Sequence, residues 1–159
     1  MRHCRGFGIQ SPTDYRFVRY VINEHWPYYA YEGFVDDEDW LTRKLGRLYF
    51  RLANYRQPRV IIDRVGMEAY LHAGCQSAKI AADDQHVEMA LLPIDADYEA
   101  LFGQCDDSSV VVFHHIYENK AQWQRIRKDA RVRVSFDLYY CGIVFFDSKR
   151  CKQHYIVNF

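Results

Sequence analysis

The stretch that decides the fold is RVIIDRVGMEAYLHAG, residues 59–74. Residues 60–63 form a short apolar run that ends in Asp63, which predicts a buried β-strand. Residues 67–73 favour a helix, and the turn from Asp63 to Gly66 contains a single glycine. A strand, a tight turn and a helix in this order predict the first half of a βαβ unit with parallel strands.

Composition predicts one domain and argues against several classes of partner. The chain has 159 residues, of which 49% are hydrophobic, enough for a substantial core. It carries 21 Lys and Arg against 21 Asp and Glu, so the formal net charge is zero. We therefore expect neither nucleic acid nor an anionic membrane as partner, because both select positive charge.

Location is predicted from apolar runs and cysteines. No apolar run approaches the roughly 20 residues that span a bilayer. The segment MRHCRGFG, residues 1–8, lacks the apolar stretch of a secretory signal. Five scattered cysteines, at positions 4, 75, 105, 141 and 151, fit reduced thiols better than disulfides or a zinc site. These features predict a cytoplasmic protein.

Two helices are predicted before the first strand. In SPTDYRFVRYVINEH, residues 11–25, Ser11 can cap a helix, Pro12 suits its first position, and Asp14 can complete a capping box. In DEDWLTRKLGRLYFRLANYRQ, residues 37–57, four leucines at positions 41, 45, 48 and 52 lie on one helical face.

The rest of the chain alternates between strand-like and helix-like runs. Strands are predicted at 60–63, 78–82, 87–94 and 109–114, and helices at 67–73, 97–104 and 118–130. This alternation is typical of a mostly parallel sheet with helices on both faces, so we predict an α/β three-layer sandwich. Residues 131–159 hold three further strand runs with short turns, which predict an antiparallel C-terminal edge. We predict a single domain over 1–159, with helices in 1–57, an α/β core in 58–130 and strands in 131–159.

Several segments resemble a known family in sequence and in order. RGFGIQSPTDYRFVRYVI (5–22), PYYAYE (27–32), LGRLYFRLANYRQPRVIID (45–63) and nearly all of residues 108–159 are similar to bacterial class I S-adenosylmethionine-dependent methyltransferases. The resemblance implies a Rossmann-like methyltransferase fold with a reduced sheet.

The chain departs from this family at three places. After the first strand the family has an acid and a glycine-rich loop, whereas here Asp63 is followed by Arg64 and the glycine is displaced to Gly66. The family's third strand, which supplies part of the adenine pocket, has no counterpart between residues 84 and 86. An acidic pair common in the family is replaced by His114 and His115.

If cofactor binding is retained, the resemblance implies that carboxylates and one glycine hold S-adenosylmethionine, namely Asp63, Gly66, Asp83, Asp84 and Asp95. His114 or His115 would then act as the base for a small-molecule hydroxyl or amine. The structural alternatives are an Asp63 that pairs with Arg64 or caps the helix, a polar turn at 83–84 and partly buried histidines. Adjacent strand residues point to opposite faces, so the two histidines are not expected to hold one metal ion.

Two peripheral clusters have similar alternatives. The aromatic cluster Trp26, Tyr28, Tyr29 and Tyr31 either lines a pocket for a flat substrate or packs helices against the sheet edge, which is more common. Arg2, His3 and Arg5 either contact a phosphate or form a solvated arm.

These features lead to competing hypotheses of function. We expect a methyltransferase-like binding or interaction module that has lost its cofactor and catalysis, with no metal. The alternatives are an active S-adenosylmethionine-dependent enzyme with a shortened pocket and a metal-dependent hydrolytic site on the histidines. Because the missing strand leaves a new edge at 78–82, with Leu91 and Leu92 expected nearby, we also predict a homodimer.

Overall fold

The computed structural model describes residues 9–24, 28, 31, 33 and 38–159. The helices in the described residues are α1 (Pro12–Phe17), a π-helical turn (Val18–Ile22), α2 (Trp40–Arg56), α3 (Glu68–Gly74), α4 (Glu99–Gly103), a 3₁₀ turn (Ile116–Glu118) and α5 (Lys120–Lys128). The strands are β1 (Val60–Asp63), β2 (Lys79–Ala81), β3 (Val87–Pro93), β4 (Cys105–His114), β5 (Val134–Asp137), β6 (Cys141–Phe145) and β7 (Gln153–Ile156).

The strands form one mixed sheet in the order β2-β1-β3-β4-β6-β5-β7. Its first four strands are parallel, with Ile61 opposite Ile80 on one side and Met89 on the other. This confirms the predicted α/β architecture and its mostly parallel half. Within the described residues β2 is an edge strand, as predicted, but Leu91 and Leu92 lie on β3, fully buried and separated from that edge by β1.

The C-terminal strands differ from the predicted antiparallel edge. The antiparallel strand is β6, which lies inside the sheet between β4 and β5. The last pair, β5 and β7, is parallel. Since β6 runs antiparallel to β5, it returns the chain to the end of the sheet at which β5 begins. Strand β7 starts at that end, on the far side of β5, and therefore runs parallel to β5. The prediction was correct for β6 and wrong for the outermost pair.

The two faces of the sheet are both buried, which gives an arrangement compatible with three layers. Alternate residues such as Ile61, Leu91 and Val112 pack beneath α1, α2 and α3. Their neighbours, such as Leu92 and Phe113, pack beneath α4 and α5. This period of two is what a strand buried on both faces requires.

The predicted N-terminal helix begins at its expected cap, but its first acid has a different role. The amide of Asp14 donates to Ser11 Oγ at 3.4 Å. The buried Asp14 carboxylate does not complete a capping box. It accepts hydrogen bonds from Arg150 Nη2 at 2.6 Å and Tyr155 Oη at 2.8 Å, which tie α1 to the C-terminal strands.

Helix α2 follows the predicted leucine face. Leu45, Leu48 and Leu52 are fully buried. Gly46 sits against the ring of Tyr70 on α3, so that a Cβ at this position would overlap the ring at 2.5 Å. The glycine that weakens α2 as an isolated helix therefore permits the close approach of α2 and α3.

Candidate functional site

Open α/β sheets bind ligands in a crevice at their switch point, which is the place where the order of the strands reverses. From β1 the chain passes to β2 on one side and later to β3 on the other, so the switch point lies between β1 and β3. The carboxyl ends of these strands are Asp63 and Pro93. The turn after Asp63 therefore borders this crevice.

The Asp63 carboxylate organises this turn. Its Oδ1 accepts the backbone N–H groups of Val65 and Gly66, each at 2.9 Å, and its Oδ2 accepts that of Met67 at 2.8 Å. Gly66 has a φ of +93°, which favours glycine. Asp63 thus orders the loop that leads into α3, with both of its oxygens engaged, but it does not cap the helix itself, whose N-cap residue is Met67.

Arg64 closes the carboxyl ends of β1 and β2. Its Nε donates to the carbonyl of Ala82 at 3.1 Å, and its Nη2 lies 3.7 Å from Oδ1 of Asp83. The guanidinium therefore spans the position where Asp83 would face a ribose. Asp83 and Asp84 otherwise accept the amides of the residues that follow them, which is the geometry of a polar turn.

Asp95, the remaining predicted cofactor ligand, is exposed after β3. Its Oδ1 accepts Nδ2 of Asn119 at 2.7 Å. The Oδ1 of Asn119 in turn caps α5 by accepting the amide of Gln122 at 3.1 Å. Asp95 therefore braces the start of α5 and is not brought together with Asp83 by any contact.

The two histidines lie together, contrary to the expectation that they face opposite sides of the sheet. His114 ends β4, but His115 has a φ of +57° and leaves the strand geometry. Their rings stack with centroids 3.8 Å apart. The expectation was wrong because the alternation of side chains holds only while the backbone stays extended.

Each histidine has its own neighbours. Nδ1 of His114 lies 2.6 Å from the hydroxyl of Tyr49, a fully buried residue of α2. Burial lowers the pKa of His114 to about 4. Nδ1 of His115 is 3.3 Å from Oε1 of Glu118, while its buried Nε2 has no hydrogen-bond partner among the described residues. Because burial disfavours the protonated form of His114, that residue is a weak general base.

Two buried groups of this region were missed by sequence reasoning. Burial raises the pKa of the Tyr49 hydroxyl well above its usual value, and it also raises the pKa of the Cys141 thiol at the start of β6. Both groups are therefore neutral and unsuited to act as nucleophiles. Tyr49 follows Leu48 on the buried side of α2, so the leucine spacing gave a signal for its burial but not for its partner.

A concavity lies at the same edge of the sheet, beyond β4. It has a volume of about 500 Å³ and is lined mainly by aromatic and aliphatic residues of the 3₁₀ turn, the β5–β6 hairpin and the end of the chain from Ile156, with Lys120, Trp123 and Gln124 from α5. Tyr139 and Tyr117 are stacked with an interplanar angle of 5°, and Tyr140 packs edge-on to Tyr139. Sequence reasoning missed this pocket, because its walls come from separate segments.

Other chemistry-bearing groups are dispersed. Within the described part of the chain, no three His, Cys, Asp or Glu side chains are grouped so as to hold a metal ion. The cysteines at 75, 105, 141 and 151 are free thiols, and burial raises the pKa of Cys105 to about 12. Every helix that the structure describes is too short or too polar to cross a membrane.

Several predicted features fall wholly or partly outside the described residues. Arg2, His3, Cys4, Arg5, Trp26 and Tyr29 are among the residues not described. The described members of the predicted aromatic cluster, Tyr28 and Tyr31, pack edge-on against Phe50 of α2. For these two rings the contacts are those of helix packing.

Comparisons with protein-family models, with curated proteins and with solved structures return no match for this chain.

Proposed function

We propose that this protein is a methyltransferase-like binding module that has lost S-adenosylmethionine binding and catalysis. The observation that carries the proposal is that the chain's own groups engage the acids next to the switch point. Both Asp63 oxygens are occupied by backbone amides, and Arg64 reaches Asp83 across the ends of β1 and β2.

The chemistry of this arrangement disfavours the sulfonium cofactor. A glycine after the first acid would let the backbone approach a ligand, whereas Arg64 places a long cation there. S-adenosylmethionine is itself positively charged at sulfur, so the guanidinium offers it no attraction. The exposed Arg64–Asp83 pair contributes little stability by itself, so its effect is mainly to occupy space and to neutralise Asp83.

The scaffold supports the methyltransferase-like part of the proposal. Four parallel strands, helices on both faces and a switch point next to Asp63 are what the sequence resemblance implies. The resemblance also leads to the competing function, an active methyltransferase with His114 as base. Against that function, the His114 Nδ1 already contacts Tyr49, and a pKa of about 4 makes proton abstraction unfavourable.

Calorimetric titration of the full chain with S-adenosylmethionine and S-adenosylhomocysteine tests the proposal. We expect no saturable binding of either compound at concentrations up to about 1 mM, which corresponds to less than about 4 kcal/mol of binding free energy. An active class I methyltransferase titrated under the same conditions provides the positive control. Saturable micromolar binding to this chain would favour the active enzyme instead.

A further inference from the structure

The aromatic pocket lies apart from the switch point and shares no lining residue with the turn after β1. It is bounded by the 3₁₀ turn, the β5–β6 hairpin, α5 and the residues after β7. Its volume of about 500 Å³ lies within the range of small-molecule sites. Three of its tyrosines, at 117, 139 and 140, form one set of mutually contacting rings.

The backbone conformation at Tyr139 is energetically unfavourable for a residue that carries a side chain. Tyr139 has a φ of +68°, a conformation that glycine or asparagine adopts more easily in a hairpin loop. Its side chain remains 57% exposed, so the residue gains little from burial. Strained residues of this kind concentrate at functional sites, which makes Tyr139 a candidate ligand contact.

The polar groups of the pocket determine the charge that it would accept. Asp137 is engaged, because its Oδ2 accepts Nε1 of Trp123 at 3.0 Å and its Oδ1 accepts the amide of Tyr139 at 2.8 Å. The ammonium of Lys120 lies 5.9 Å from the centre of the Tyr139 ring and forms no ion pair with the described residues. The side chains of Gln124 and Asn158, which also line the pocket, are neutral, so among the described lining side chains the charged group left to meet a ligand is a cation beside an aromatic face.

We propose that this pocket binds a small planar aromatic anion of about mononucleotide size, with the ring of the ligand stacked on Tyr139 and its anionic group beside Lys120. Such rings stack on tyrosine irrespective of their substituents. A cationic ligand would be repelled by Lys120. This inference supplies a ligand class for the proposed binding module and rests on that proposal only for the absence of catalysis.

The ligand test uses calorimetry with four probes on the full chain. Adenosine 5′-monophosphate and 2-naphthoate carry both a ring and a charge, and they represent the two sources of such chemistry, nucleotides and aryl acids. Adenosine carries only the ring, and ribose 5-phosphate only the charge. We expect at least one of the first two to bind with a Kd below about 1 mM, and each single-feature probe to bind about tenfold more weakly than the corresponding complete one.

Variants locate the binding. Tyr139→Gly removes the ring but relieves the positive φ, so we expect a melting temperature at or above that of the wild type together with about tenfold weaker binding. Lys120→Gln should weaken the binding of the anionic probes and leave the binding of adenosine unchanged. Tyr20→Leu and Lys79→Gln, at exposed positions elsewhere, are the matched controls and should bind as the wild type does.

The proposal is overturned if neither anionic probe binds, if adenosine binds as tightly as its monophosphate, or if Tyr139→Gly binds as the wild type does. Failure of the proposed function is recognised separately. If S-adenosylhomocysteine binds and Tyr139→Gly leaves that binding intact, the switch point is open and the proposed loss of the cofactor is wrong. The proposal for the aromatic pocket is tested independently, by the other four probes.

Discussion

At the scale of single residues, Asp63 shows how a residue suited to ligand binding can have a structural role. Its carboxylate accepts three consecutive amides of the turn into α3, at 2.8 to 2.9 Å. These bonds satisfy backbone donors of the turn that precedes the helix, which otherwise need water or a ligand. The acid that the sequence marked as a cofactor contact therefore serves its own loop.

Removing this carboxylate should destabilise the protein. We expect Asp63→Ala to lower the free energy of unfolding by about 2 kcal/mol, since several charge-assisted hydrogen bonds are lost at a half-buried position. Asp63→Asn, which keeps one acceptor oxygen, should cost about half as much. Urea unfolding measures both values, and Asp84→Asn in the neighbouring turn is the control. A stability unchanged in Asp63→Ala would show that these hydrogen bonds are dispensable.

The lowered pKa values of two histidines predict that the protein loses stability in mild acid. Burial lowers the pKa of His114 to about 4 and that of His154 also to about 4, against about 6.5 in an unfolded chain. Between these two pH values the unfolded state binds more protons than the folded state. The contribution of the two histidines to the free energy of unfolding is therefore complete above pH 6.5 and is lost as the pH falls toward 4. Each histidine can add a slope of at most about 1.4 kcal/mol per pH unit, reduced by partial exposure.

Urea unfolding between pH 7.5 and 4.5 measures this dependence. His114→Gln and His154→Gln should each flatten it, whereas His72→Gln on the exposed side of α3 should not. An unchanged slope in both variants would mean that other groups cause the acid sensitivity.

At the scale of elements, the N-terminal π-helical turn depends on one side chain of α2. Arg51 is 7% exposed, and its Nε and Nη2 donate to the carbonyls of Val21 and Ile22 at 2.7 and 3.0 Å. These carbonyls end the turn and have no helical partner further along the chain. Arg51 therefore fixes the first helical segment against α2.

Arg51→Met should destabilise this junction. The variant keeps most of the side-chain volume but leaves two buried carbonyls without donors, so we expect a loss of about 2–4 kcal/mol. Arg51→Lys, which has no planar fork, should recover only part of it. Urea unfolding gives the loss, and hydrogen exchange at residues 18–22 shows whether it is local. Arg16→Met, at an exposed position of α1, is the control, and an equal effect there would contradict the assignment.

Sequence patterns predicted most elements because those elements follow local rules. The leucine spacing predicted α2, and continuous apolar runs predicted β1, β3 and β4. The features that the sequence patterns did not predict depend on where a side chain or the backbone turns in space, or on segments that are distant along the chain. The path of Arg64 to Asp83, the turn of His115 out of β4 and the parallel pairing of β7 all require the three-dimensional structure. The aromatic pocket was missed for the same reason.

At the scale of the whole molecule, the edge strand β2 leads to the predicted homodimer. Lys79 donates its amide to the carbonyl of Arg59, which directly precedes β1, so the backbone groups of Ile80 point away from the sheet. A second copy that pairs along this edge would satisfy them. We expect light scattering at high micromolar concentration to show a dimer. Ile80→Pro, which removes the outward donor, should give a monomer, and Ile80→Val should not; a monomeric wild type would contradict the prediction.

The carboxyl edge of the sheet contains both regions on which the proposed function depends. At the switch point, the Asp63 carboxylate is bound by its own turn, and Arg64 reaches away from β3 toward Asp83. Over β5 to β7, aromatic rings leave a pocket open. The protein is thus expected to bind ligands at one end of this edge and not at the other.

The most direct test of the central claim is a crystal of the protein soaked in millimolar S-adenosylhomocysteine. We predict no ligand density between the carboxyl ends of β1 and β3, with the Asp63 carboxylate still bound to the three amides of its turn and Arg64 still directed at Asp83. Clear density for the ligand at this position, with the carboxylate of Asp83 or Asp84 on its ribose, would contradict the loss of the cofactor site.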